Sequence, residues 1–287
     1  MEQLEIEQFK MKSKQTYEKL LDLLVRVFAA DNYLSLGDAE ENERVFIARG
    51  LTDKFKNHAV TLLYLSRGTS LDFPSFKFSL VDFASIDVLA RASLEAFLVF
   101  HYVFYTSTTK EEKDYRYWAY KAAGIAEREN DSASTKDYRQ KQATEKKELD
   151  KLRERLKSNK VFQNLTDNQK KQLLRGRWKL PSWRAIAIDA GVSEMIASRM
   201  YSFLAGYAHS SMLSVVQMVE AHRDRREEVH VNSAMVTMNL IIANMVREYC
   251  GLFSKAQEVL RKDHEGSYIV DWWIQVDRYL NELTKID

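Results

Sequence analysis

Two prolines and nine glycines in 287 residues leave this chain too few turn-formers for a fold of many short strands. Long helices joined by few loops need little of either residue. The expected class is therefore all-α: a single multi-helix, bundle-like domain over residues 1–287, with about eight or nine helices and no sheet. Hydrophobic residues make up 45% and charged residues 29%, the balance of a folded globular chain rather than a disordered one.

Apolar spacing places the elements. Tyr17, Leu20, Leu21, Leu24 and Val27 recur at helical intervals and mark an amphipathic helix from Glu2 to about Ala30. A second helix is expected over 39–66, then a loop over 67–78, where Gly68 and Pro74 stand among serines and threonines. The most apolar helix follows over 79–107. Further helices are expected over 114–128, 134–160 and 166–175, the first two joined at Asn130-Asp131-Ser132. Gly176 and Pro181 interrupt regular structure, and Ser193 is suited to cap a helix reaching about His222. The charged run 221–228 marks a turn before helices over 232–262 and 268–283.

The single cysteine, Cys250, leaves no intrachain disulfide and no cysteine-based zinc cluster, and its apolar surroundings suit an inert core thiol. The opening MEQLEIEQFKMKSK carries acidic residues where a signal peptide would carry basic ones, and no apolar core follows. A reducing, cytoplasmic setting is expected, with no membrane. Met200–Val219 contains no charged residue over a length able to cross a bilayer. Ser202, His209, Ser210, Ser211, Ser214 and Gln217 make it too polar for lipid, so a helix packed inside the protein is expected.

Charge is unevenly spread. Residues 136–184 hold 16 basic and 6 acidic side chains, a net of +10 in a chain whose total is +2. This helical segment is expected to protrude and to attract polyanions, RNA among them. Arg175, Arg177, Trp178, Lys179 and Arg184 set cations beside aromatic faces, which suits single-stranded nucleic acid. The bland alternative is a solvated helix of mixed charges, as in KKELDKLRERLK.

Three constellations could carry chemistry. Asp87, Arg91 and Glu95 are spaced four apart and form one narrow polar stripe on the apolar helix. Either they are a structural ion-pair set or a site in which a buried arginine needs its carboxylates. In the later helix, Arg199, Ser202, Gly206, His209 and Ser210 share a face, which puts an imidazole beside hydroxyls and an arginine. In RDRREEVH, four residues separate Arg225 from His230, and this resembles the Arg-x(4–6)-His pattern of HEPN-type ribonucleases. With 20 arginines and 6 histidines, about one match of that looseness arises by chance. There is no GxGxxG, Walker A, GxSxG or HExxH motif, so neither a cofactor nor a metal is expected.

RASLEAFLVFHYVF, followed by RYWAYKAAG and then AGVSEMIASRMYSFLAGYAHSS, resembles the bacterial domain of unknown function 5677, over roughly residues 80–220. The family's Arg-x-x-x-Glu helix corresponds to Arg91 and Glu95, and its later Tyr…Ser…His helix to Tyr201 or Tyr207 and His209. Ala205 or Gly206 stands where a serine is usual, leaving Ser210 or Ser202 to supply a hydroxyl. The resemblance implies an all-α fold and no settled activity. The leading functional expectation is a metal-independent, HEPN-like ribonuclease or phage-defence effector. In it His209 acts as acid or base, Arg91 or Arg199 stabilises the phosphorane charge, Glu95 orients the arginine and Ser210 assists. The alternative is a non-enzymatic helical adaptor or sensor, a homodimer or bound to a protein or nucleic acid through the basic 136–184 surface.

Overall fold

The computed structural model describes residues 2–30, 38–129 and 135–283, so the expected connection at 130–132 lies outside the described residues. Among the described residues are thirteen α-helices, one π-helical turn and one two-stranded sheet. The helical class follows the proline and glycine supply. The expected absence of a sheet is corrected: Thr69–Asp72 (β1) and Lys77–Leu80 (β2) pair antiparallel. The pairing continues past β1 and β2, since Phe73 and Phe76 exchange backbone hydrogen bonds of 2.9 and 3.3 Å around Pro74-Ser75. Pro74 presets the backbone of the turn, and the residues that looked like a loop close a hairpin.

The chain divides into two compact units, Met1–Phe100 with Trp183–Asp287, and His101–Ser182. The first is organised around α11 (Glu227–Leu252), in which every residue from Leu240 to Val246 is buried. A helix buried on all sides must be enclosed by others, because no face of it tolerates water. Packed against it are α1 (Glu2–Ala30), α3 (Phe83–Phe100), α12 (Ser254–Lys262) and α13 (His264–Leu283). Among the described residues α11 is the one helix long and apolar enough to cross a membrane, yet 72% of its most apolar stretch is buried inside the protein. Two polar contacts fix its surroundings. Asn239 donates to the Ser13 carbonyl at 2.8 Å, and Tyr17 of α1 donates to the Ala59 carbonyl of α2 (Ala39–Leu65) at 2.8 Å. Burial pushes the Cys250 thiol up to about 12, so it stays protonated.

The outer layer of this unit is α8 (Trp183–Asp189), α9 (Glu194–Ala208) and α10 (Met212–Arg223), with α9 lying on α3. The single helix expected from Ser193 to about His222 is broken between α9 and α10. At the break Ser210 takes a φ of +50°, the Ser211 N–H donates to the Gly206 carbonyl at 2.9 Å, and the Ser210 N–H to the Tyr207 carbonyl at 3.3 Å. This is a Schellman ending, and the Ser211 hydroxyl then caps α10 by accepting from the Ser214 N–H. Gly206 makes the reversal feasible, since a Cβ there would stand 3.1 Å from the Ser211 hydroxyl. The break also divides 200–219 between two helices of 15 and 12 residues, each too short to span a bilayer.

The second unit begins with the π-helical turn His101–Tyr105, where the Thr106 N–H donates to the His101 carbonyl at 3.1 Å. Arg116 braces it, donating to the Tyr102 carbonyl at 2.8 Å and to the Thr106 hydroxyl at 2.7 Å, with its guanidinium 4.2 Å over the Tyr102 ring. Next come α4 (Lys110–Ala126), α5 (Lys136–Ser158), α6 (Lys160–Gln163) and α7 (Asp167–Leu174). Leu149, Leu152 and Leu156 of α5 pack with Tyr115, Ala119 and Ala122 of α4, which leaves most of the lysines of α5 in solvent.

A left-handed backbone costs a non-glycine residue about 1–2 kcal/mol, part of which glycine returns as lost chain entropy. Ser210→Gly should therefore raise Tm by roughly 2 °C and Ser210→Val lower it, measured by thermal denaturation.

Candidate functional site

The expected site residues do not form one network. Within α3, Arg91 donates to the Glu95 carboxylate at 3.1 Å as an (i, i+4) pair. Asp87, one turn earlier on the same stripe, makes no hydrogen bond with it and is 1% exposed. His209 ends α9 as its C-cap residue and is exposed, and its imidazole has no hydrogen bond or ion pair among the described residues. Ser210 is exposed in the left-handed turn. Only the backbone of Arg199 and Tyr201 falls within the described residues.

The expected nucleic-acid residues are engaged in their own units. In the second unit, the Trp178 ring packs against Tyr102 and Tyr120, with centroids 5.9 and 5.3 Å away. Arg177 donates to the Lys179 carbonyl at 3.0 Å and to Gln172 at 2.9 Å, while Lys179 donates to the Pro181 carbonyl at 3.2 Å. Arg175 is exposed. Arg184 belongs to the first unit, on α8, where it donates to the Ser198 hydroxyl at 2.7 Å and pairs with Glu194.

A different set of polar groups converges, all in the first unit, on the Phe83 ring at the start of α3. The His230 imidazole stacks on that ring at 4.5 Å, inclined by 24°. His222 lies 5.7 Å from the same ring, and Tyr207 meets it edge-on at 6.1 Å. The four residues come from four elements: α3, α9, the last turn of α10 and the first turn of α11. The reversal at Arg225 brings the two histidines together, for Arg225 takes a φ of +52° and the Arg226 N–H reaches back to the Ala221 carbonyl at 2.8 Å. This is a second Schellman ending that uses a side-chain-bearing residue where glycine is usual. A left-handed residue that is not glycine is a form of strain that concentrates at functional sites.

The titratable groups are set apart by their surroundings. Desolvation lowers the His230 pKa, so its ring is neutral at pH 7. Glu227 is held below the usual carboxylate value by a backbone N–H and by His222, and is therefore ionised. His222 must then donate from Nδ1 to Glu227, at 3.0 Å, leaving Nε2 free to exchange a proton. Burial pushes Asp87 up to about 8, and no partner reaches its Oδ2. Its charge also helps burial push Tyr207 up to about 12, and the Tyr207 hydroxyl faces Gln217 at 3.4 Å.

The first turn of α11 also borders a groove of about 650 Å³ lined by Lys14, Arg67, Arg225 and Arg226, with Glu228 as its acidic member; Val229 and Val231, on either side of His230, line it, whereas the four residues of the ring cluster do not. Arg67 is paired with Glu18 at 3.2 Å and Arg226 with Asp224, whereas among the described residues no ion pair engages Lys14. Among the described residues no group of three His, Cys, Asp or Glu side chains is placed to hold a metal ion. Two imidazoles on one aromatic ring, one kept neutral by burial and the other hydrogen-bonded to an ionised carboxylate, are groups suited to acid–base chemistry. The Arg-x(4)-His spacing was the sequence signal for it. Nothing local marked His222 or Phe83 as its companions.

The model of a family of unknown function, DUF5677, matches residues 81–227, the region marked by the resemblance in the α3 and α9 segments. No curated protein and no solved structure matches the chain.

Because the Asp87 pKa is raised on folding, the folded state binds a proton that the unfolded chain has already released between about pH 4 and about 8. Stability conferred by protonated Asp87 is full below that window and falls as pH rises through it. Asp87→Asn should therefore remove that slope: a variant whose Tm exceeds wild type at pH 8–9, with the difference shrinking toward pH 4, is the expected result.

Proposed function

The chain belongs to the family of unknown function DUF5677, and we propose that it cleaves RNA without a metal, using the histidines gathered on Phe83. The observation that carries this reading is the pair His222 and His230 against one ring, the first oriented by Glu227 and the second kept neutral by burial. Neutral His230 takes the proton of the ribose 2′-hydroxyl as that oxygen attacks phosphorus. His222 gives a proton from Nε2 to the departing 5′-oxygen, and the products are a 2′,3′-cyclic phosphate and a 5′-hydroxyl end. Arg225, whose backbone is held in the left-handed region, supplies positive charge to the phosphorane. The acid–base role first expected of His209 passes to these residues because His209 is exposed and unpartnered among the described residues. A phage-defence role and a cytoplasmic setting remain part of the proposal.

The test is incubation of the purified protein with RNA in EDTA. His230→Ala and His222→Ala should each lower cleavage at least 100-fold. The acid limb of the pH profile should have its midpoint below the ordinary histidine value of about 6.5. Equal cleavage by wild type and both variants, or none by any of them, overturns the reading.

One observation favours the second reading, a non-enzymatic adaptor or self-associating protein. Helix α10 turns Met212, Leu213, Val215, Val216 and Val219 to solvent, with Met212 84% exposed, and buries Ser214 instead. Contiguous apolar surface of this kind marks association sites. Under this reading Leu213→Glu with Val216→Glu should convert an assembly to monomer in sedimentation, with RNA left intact by wild type. The basic 136–184 segment would then serve as a docking surface for an acidic partner.

A further inference from the structure

The β1–β2 hairpin carries an apolar face that stays about half exposed among the described residues. Strand register sets Leu71 opposite Phe78, and Phe73 faces Phe76 across the turn, so all four side chains share one face. They are 47%, 45%, 45% and 55% exposed in the order Leu71, Phe73, Phe78, Phe76. The Phe73 and Phe76 rings stack at 4.7 Å and 28° at the very tip. Exposed aromatic rings held in place by a tight turn form a stacking surface, whereas a folding role would bury them.

This surface rises from the rim of the cationic groove. Arg67, two residues before β1, and Val81, directly after β2, both line the groove together with Lys14, Arg225 and Arg226. The two features are thus joined within one unit by the chain itself. Cations that follow a phosphate backbone, next to aromatic rings that accept bases, are the combination used to bind single-stranded nucleic acid. A duplex keeps its bases stacked inside and would leave the phenylalanines without partners.

We infer that the hairpin and groove bind unpaired RNA, with backbone phosphates against Lys14, Arg67, Arg225 and Arg226 and bases on Phe73 and Phe76. This rests on the proposal that RNA is the substrate, and it names the form: single-stranded segments rather than duplex. The basic groove favours this occupant over a lipid surface, because the hairpin itself contributes one acid and one base, Asp72 and Lys77, paired at 3.6 Å. The four basic side chains of the groove lie at its root.

Binding is measured by fluorescence anisotropy with labelled 2′-O-methyl RNA, which cannot be cleaved through the 2′-oxygen, in single-stranded and duplex forms. Single strands should bind at least tenfold more tightly. Phe73→Ala with Phe76→Ala should weaken them about tenfold and Phe76→Trp should retain binding, with circular dichroism confirming the fold of each variant. Lys14→Ala should reduce the slope of log affinity against log salt by about 1. Equal affinity for duplex, or no loss in the double phenylalanine variant, overturns the inference, as does binding to anionic phospholipid vesicles with none to RNA. Binding without any cleavage of ordinary RNA would instead uphold this inference and remove the ribonuclease reading.

Discussion

The first unit depends on the complete burial of α11. A helix whose middle turns have no wet face can exist only inside a shell, and α1, α3, α12 and α13 supply it. Each of these turns an apolar face to α11 and can leave its other face to solvent. The ends of α11 are less constrained than its middle. Its first turn emerges beside α3 and α10, and there a buried helix can present His230 at the margin of the core, half-shielded by Phe83.

That margin accounts for the opposite pKa shifts of Asp87 and His230. Asp87, one turn along α3 from Phe83, lies far enough inside that desolvation outweighs any gain from ionising. His222 lies outside and is governed by Glu227. His230 lies between the two. Around one aromatic ring, burial raises the pKa of an acid and lowers that of an imidazole, each toward its neutral form.

Much of the fold was legible because scarcity of proline and glycine restricts a chain in every window at once. What escaped notice did so for local reasons. The hairpin was hidden because TSLDFPSFKFSL has the serine, proline and threonine content of a loop, and its alternation of apolar residues restarts at the turn. The break after α9 was hidden because Ser210 occupies the left-handed position where a glycine would have announced it. The break also displaces the site: in an unbroken helix His209 belongs to a polar face, whereas at a helix end it is exposed to water. The basic 136–184 run was legible as charge, but Trp178 was needed to pack its unit. Asp87 was readable as an acid in an apolar helix, and only its burial separated it from Arg91.

The two left-handed endings bracket α10, and they determine how that helix is held. Its inward face offers Ser214 and Ala221, little apolar area, so its attachment is mainly polar: the Ser214 hydroxyl donates to the Gly206 carbonyl at 3.1 Å, and backbone hydrogen bonds close both ends. Bonds of that kind open by local fraying rather than by unfolding of the unit. Of the four elements that meet at Phe83, α10 is therefore the one that separates at the smallest cost in free energy. Loosening those twelve residues would part His222 from His230 without exposing the buried middle of α11.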